Sequence, residues 1–99
     1  MDINKLMQQA QAMQKEMEKA AAEINEMEFE GVASNGLVKV VINGENKVQS
    51  VNLDRSILNP EDKEMIEDLI MIAVNDAVAK VDEKRESSFG SMASAMGIR

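Results

Sequence analysis

LVKVVINGENKVQSVNLD, residues 37–54, reads as two β-strands around a tight turn. Leu37 to Asn43 is rich in β-branched residues, and Val38, Val40 and Ile42 alternate with Leu37, Lys39, Val41 and Asn43. That period of two places the first three on one face of a strand. Asn43-Gly44 is the residue pair that supplies positive φ at both centres of a two-residue hairpin turn, and Val48 to Leu53 alternates again beyond it. A second Asn-Gly pair, Asn35-Gly36, predicts that Phe29 to Ala33 folds back as a further strand. The expected unit is a three-stranded antiparallel meander. A sheet that small is not stable alone, so the flanking segments must cover one face.

Before the meander, Ile3, Leu6, Ala10, Met13, Met17, Ala20, Ile24 and Met27 alternate spacings of three and four, a heptad seam at period 3.5. Helix formers fill the other positions, and Glu16 and Glu23 lie within helical reach of Lys19. The spacing predicts one helix from Ile3 to about Glu26, roughly 36 Å long at 1.5 Å per residue. A compact domain of this size has a radius of gyration of only about 13 Å, so such a helix overhangs its own sheet. A second copy of the chain is the economical cover for the excess.

After the meander, Asn59 is a good N-cap, Pro60 suits the first helical position, and Glu61, Asp62 and Glu64 complement the positive end of the helix dipole. The apolar stripe that follows is wider than one sheet contact requires. It thins from Lys80 into Asp82-Glu83-Lys84-Arg85-Glu86. The last stretch, SSFGSMASAMGIR, has no cap and little periodicity, which predicts a flexible tail over residues 87–99. The expected fold is therefore α+β: a long N-terminal helix, a three-stranded meander and a long C-terminal helix in one domain over residues 1–86, paired as a homodimer. Its core and dimer seam should draw on Met13, Met17, Ile24, Ile66, Ile70, Ala73 and Ala77.

Composition removes most chemistry. The 99 residues include no Cys and no His, which excludes disulfides, thiol nucleophiles, the usual zinc and haem sites, and the common general base near neutral pH. Glu67, Asp68 and Asp76 read best as a polar helix face, so no metal, cofactor, small-molecule substrate or enzymatic activity is expected. Asn75-Asp76 interrupts the apolar stripe, either as a buried polar pair that fixes dimer register or as the solvent side. Gly31, Gly36 and Gly44 read as turn or bulge glycines, since none lies between a strand and a helix start as a phosphate loop requires. No apolar run approaches the roughly 20 residues of a membrane span, and no signal-peptide pattern opens the chain, so a cytoplasmic protein is expected. Nine Met, two Phe and no Trp or Tyr make the core soft and aliphatic; at seam positions such as Met13 and Met17 packing is the favoured use, and a small coiled-coil adaptor that binds another protein through its Met-rich seam is the alternative.

The formal charge of −7 argues against nucleic acid, but its distribution softens the objection. Residues 54–86 carry ten acidic and five basic residues, whereas residues 1–26 carry five and three. Lys5, Lys15 and Lys19 lie on the first helix; Lys80, Lys84 and Arg85 cluster near the end of the second. In a two-fold dimer the Lys80, Lys84 and Arg85 cluster appears twice, at symmetry-related places that could meet successive stretches of a duplex backbone. No Arg/Asn-rich recognition helix is visible, so such contacts would go to phosphate.

The segment GLVKVVING at Gly36 to Gly44, VNLDRSIL at Val51 to Leu58, DKEMIEDLI at Asp62 to Ile70 and Asn75-Asp76-Ala77, together with MQQAQAMQKEMEK in the first helix, resembles the YbaB/EbfC family of bacterial nucleoid-associated proteins. Arg55 stands where that family commonly has proline, and Ser34-Asn35 replaces part of a Gly-rich turn. The resemblance implies a tweezer-shaped homodimer with protruding helices that binds double-stranded DNA in the nucleoid, without catalysis. It implies DNA contact along the long helices, which here carry the six basic residues named above.

Overall fold

The computed structural model describes residues 2–95. Asp2 caps the first helix, its carboxylate accepting from the Asn4 and Lys5 amides at 3.1 and 3.4 Å. Helix α1 (Ile3–Glu26) leads into strands β1 (Glu28–Ala33), β2 (Val38–Asn43) and β3 (Val48–Leu53), and helix α2 (Lys63–Ala95) closes the order. The strands form one antiparallel sheet in the order β1-β2-β3. Short 3-10 turns, Arg55–Ile57 and Pro60–Asp62, join β3 to α2. Asn59, expected to cap the long helix, instead caps the second of these turns through the Glu61 amide at 3.1 Å, with Pro60 in its first turn, and α2 begins at Lys63. The flexible tail expected over 87–99 lies partly outside the described residues; up to Ala95 the chain is helical, past the Glu86 at which the pattern thins.

The two Asn-Gly pairs behave differently. Asn35 and Gly36 take φ of 56° and 90°, the mirror-image turn expected of them, with the Leu37 amide donating to the Ser34 carbonyl at 3.2 Å. At the second hairpin the left-handed residue is Asn46, φ 63°, and Gly44 has no positive φ. The Asn43 side chain explains the shift. Its Oδ1 accepts from the Glu45 and Lys47 amides at 2.9 and 3.0 Å, and the Asn43 amide donates to the Lys47 carbonyl at 3.0 Å, which closes a longer loop over residues 44–46. A bulge between Val41 and Ile42 absorbs the register change.

Phe29, Gly31 and Ala33 pair with Ile42, Val40 and Val38, and this inner face is buried beneath Ala73, Ala77 and Val81 of α2. Gly31 is neither a turn nor a bulge residue. It sits mid-strand, and a Cβ there would fall inside the Ala73 carbonyl and against the Ala77 backbone and side chain. The missing side chain lets α2 lie almost on the backbone of β1. Gly44 does the same for α1, since a Cβ there would overlap the Ile24 carbonyl.

Because α2 is drawn to β1, it does not cover the other edge. Val51 and Leu53, opposite Val40 and Val38, extend the inner face onto β3, yet Val51 is 48% exposed. The seam of α1 is fully buried only near its C-terminal end, at Ile24; Met13, midway along, is half-buried, while Met17 is 42% and Ile3 70% exposed. Of the other seam positions expected on α2, Ala73 and Ala77 are buried and Ile66 and Ile70 half-buried. The overhang gives a radius of gyration of 19.5 Å and a long dimension of 71 Å.

Glycine substitutions separate close approach from mere flexibility. Gly31→Ala should destabilise the fold by about 1–3 kcal/mol or more, because the obstructing atoms are backbone. Gly90→Ala, with open space around it, should be neutral or stabilising by about 0.5–1 kcal/mol, as expected for Gly→Ala within a helix. Urea unfolding midpoints check both, and equal effects would contradict the packing.

Candidate nucleic-acid interface

Helical geometry sorts the basic residues of α1. At 100° per residue, Lys5, Lys15 and Lys19 fall within an arc of roughly 80°, on the side away from the apolar seam. All three are exposed. Among the described residues none forms an ion pair, so the Glu16 and Glu23 contacts with Lys19 that the spacing allows are not made. Lys5 and Lys19 stand roughly 21 Å apart along the axis, about six base-pair steps of duplex DNA.

The three bases of α2 divide. Lys84 is exposed and outside any ion pair among the described residues. Lys80 is committed: its Nζ donates to the Glu30 carbonyl at 2.7 Å and lies 3.4 Å from Asp76 Oδ2. Asp76 Oδ2 in turn accepts from the Val32 amide at 2.9 Å. The Lys80–Asp76 pair, one helical turn apart, thus occupies a carbonyl and an amide on the free edge of β1, where another strand would otherwise pair. Arg85 is half-buried and donates from Nη2 to Asn25 Oδ1 at 2.6 Å and to the Gly44 carbonyl at 2.5 Å.

Asn75-Asp76 is therefore neither a buried pair nor simply a solvent face. Asn75 is exposed, and Asp76 is a half-buried clamp on β1. The Val32 amide, more than Lys80, holds the Asp76 carboxyl below the usual aspartate range, with partial burial opposing. The signal was present in the i,i+4 spacing of Asp76 and Lys80, but the strand edge they reach is 44 and 50 residues away in sequence. An open hollow of about 380 Å³ lies beside the cluster, lined by Phe29, Lys80, Glu83, Lys84 and Ser87, and Glu83 makes it a poor anion cradle. Among the described residues no group of acidic side chains could hold a metal ion, and no helix is long and apolar enough to cross a membrane.

The chain is similar to known proteins over nearly its whole length. The profile of the YbaB/EbfC DNA-binding family matches residues 1–96. A nucleoid-associated protein of Francisella philomiragia is 49% identical over 98% of this chain and 87% of its own length. One from Rickettsia felis is 39% identical over 98% of this chain and 91% of its own. The crystal structure of an uncharacterised Helicobacter pylori protein superposes with a TM-score of 0.75 at 28% identity, covering 93% of this chain and 97% of that one.

The clamp gives a pH signature. A carboxyl held below its ordinary value in the folded state adds stability above the unfolded value and loses it as pH falls through the folded one. Asp76→Asn should therefore lower stability near neutrality, and its loss of stability below about pH 3.9 should be shallower than that of the unaltered chain. Parallel stability–pH curves from denaturant titrations would contradict the assignment.

Proposed function

The chain belongs to the YbaB/EbfC DNA-binding family, and on that premise we propose that it binds duplex DNA as a homodimer in the nucleoid, through phosphate contacts, and so compacts DNA or regulates expression. The observation that carries this is the row of three exposed, unpaired lysines on the solvent side of a protruding helix. Lys84 joins Lys5, Lys15 and Lys19 as a phosphate ligand. Lys80, shared between Asp76 and the Glu30 carbonyl, is a poorer one. A second copy supplies the cover that β3 lacks, and places a second row of lysines along the same duplex.

The net charge of −7 gives no long-range attraction to DNA, so binding depends on the local row and is lost quickly with salt. Sequence plays little part, because contacts to phosphate position a protein without reading bases. A helical protein partner on the uncovered seam, between Ile3 and Met17, is the competing use of α1.

Titration of duplex DNA across a salt series tests the proposal. Four lysines in each of two protomers set a limit near −7 for the slope of log K against log salt. Lys15→Gln with Lys19→Gln should reduce the steepness by about 2 per protomer. No binding at low salt, together with retention of a single protein partner by the seam, would replace DNA by the adaptor reading.

A further inference from the structure

The attachment of α1 to the body is small. Ile24 is buried, the backbone of Gly44 lies against the Ile24 carbonyl, and Arg85 donates to both Asn25 and Gly44. One guanidinium nitrogen thus ties three elements together: the last turn of α1, the β2–β3 loop and α2. We propose that Arg85 is a positioning residue that fixes the direction in which α1 leaves the sheet, and through it the placement of the α1 lysines, without itself touching DNA. The second half of that statement rests on the DNA-binding function proposed above.

Lever length makes the bond matter. Lys5 lies 20 residues before Asn25, a distance of roughly 30 Å along the helix. A tilt of 10° at the root moves that end by about 5 Å, more than the 2.7–3.2 Å span of a hydrogen bond. The same tilt moves Lys19 by under about 2 Å. Loss of Arg85 therefore disorganises the far end of the row first. With Nη2 committed to both internal acceptors, the half-buried Arg85 has only Nε and Nη1 left to offer a phosphate, and Gly44, whose carbonyl it satisfies, is buried.

The chain has no Cys, so paired labels can be introduced cleanly. Gln8→Cys on α1 and Gln49→Cys on β3, both at exposed positions, report the direction of the helix by electron–electron distance measurement in samples diluted with unlabelled chain. Arg85→Met should broaden the distribution or shift it by several ångströms, and Asn25→Ala, a milder change at the partner, should do so in part. Lys84→Met, with the same charge loss, should leave the distances unchanged. DNA affinity should fall about twofold to thirtyfold in Arg85→Met, the range carried by packed networks. Lys84→Met should reduce the salt slope by about 1 per protomer, as the loss of a phosphate ligand does. In a Lys5→Gln background, where the contact at the far end of the row is already gone, Arg85→Met should reduce the slope no further. Unchanged label distances in both root variants overturn the positioning role. A further reduction of about 1 per protomer in the Lys5→Gln background makes Arg85 a phosphate ligand and overturns the proposal as well. If the unaltered chain fails to bind DNA, the lysine placement falls with the proposed function, and the label distances still decide whether Arg85 sets the helix.

Discussion

The approach of α2 to the backbone of Gly31 is the constraint from which the remaining geometry follows. With no Cβ at Gly31 and only methyl groups at Ala73 and Ala77, helix and strand meet nearly backbone to backbone. The helix is thereby pulled toward one side of a sheet only three strands wide. On that side it comes within reach of the β1 edge, and Asp76 and Lys80 satisfy the Val32 amide and the Glu30 carbonyl. On the other side it leaves β3 bare. At 100° per residue Val74 and Val78 project to the same side of α2 as Arg85, which reaches the β2–β3 loop, so they stand above this uncovered strand. One strand edge is clamped and the face of the far strand is left uncovered, and the proposed isologous pairing would cover that face without extending into a fibre.

The same economy governs α1. Its heptad seam is spent on the body only near Ile24, and the rest projects beyond the sheet with lysines on the opposite side. An acidic protein can bind a polyanion in this way only at short range, where a few ammonium groups displace counterions locally and the distant carboxylates are screened. The direction of the helix then matters more than the net charge, which is why a single guanidinium at its root has a consequence at its tip.

Most of the fold was legible in the chain. Period-two alternation in Val38 to Ile42 and unbroken three–four spacing from Ile3 to Met27 are strong local signals, and the strands and the first helix fall where those patterns place them, while α2 starts at Lys63, after a 3-10 turn at the expected Asn59-Pro60 start. What was not legible depends on contacts distant in sequence. Gly31 looks like a turn glycine until Ala73 and Ala77 are laid across it. Asn43-Gly44 looks like a two-residue turn until Gly44 is needed flat against Ile24. The basic cluster near the end of α2 reads as three equivalent charges, yet Lys80 and Arg85 are held by acceptors on β1, α1 and the β2–β3 loop, and only Lys84 is left outward. The lysines of α1 were easier, because a helix with a strict seam on one side leaves its charges on the other.

A bare β3 and an overhanging seam cannot both remain in water without cost, and a second copy is the proposed cover. Sedimentation equilibrium over a wide concentration range, without DNA, measures this directly. The account predicts a particle of twice the 10.9 kDa chain mass, persisting to low micromolar concentration. A particle of single-chain mass throughout that range would contradict it.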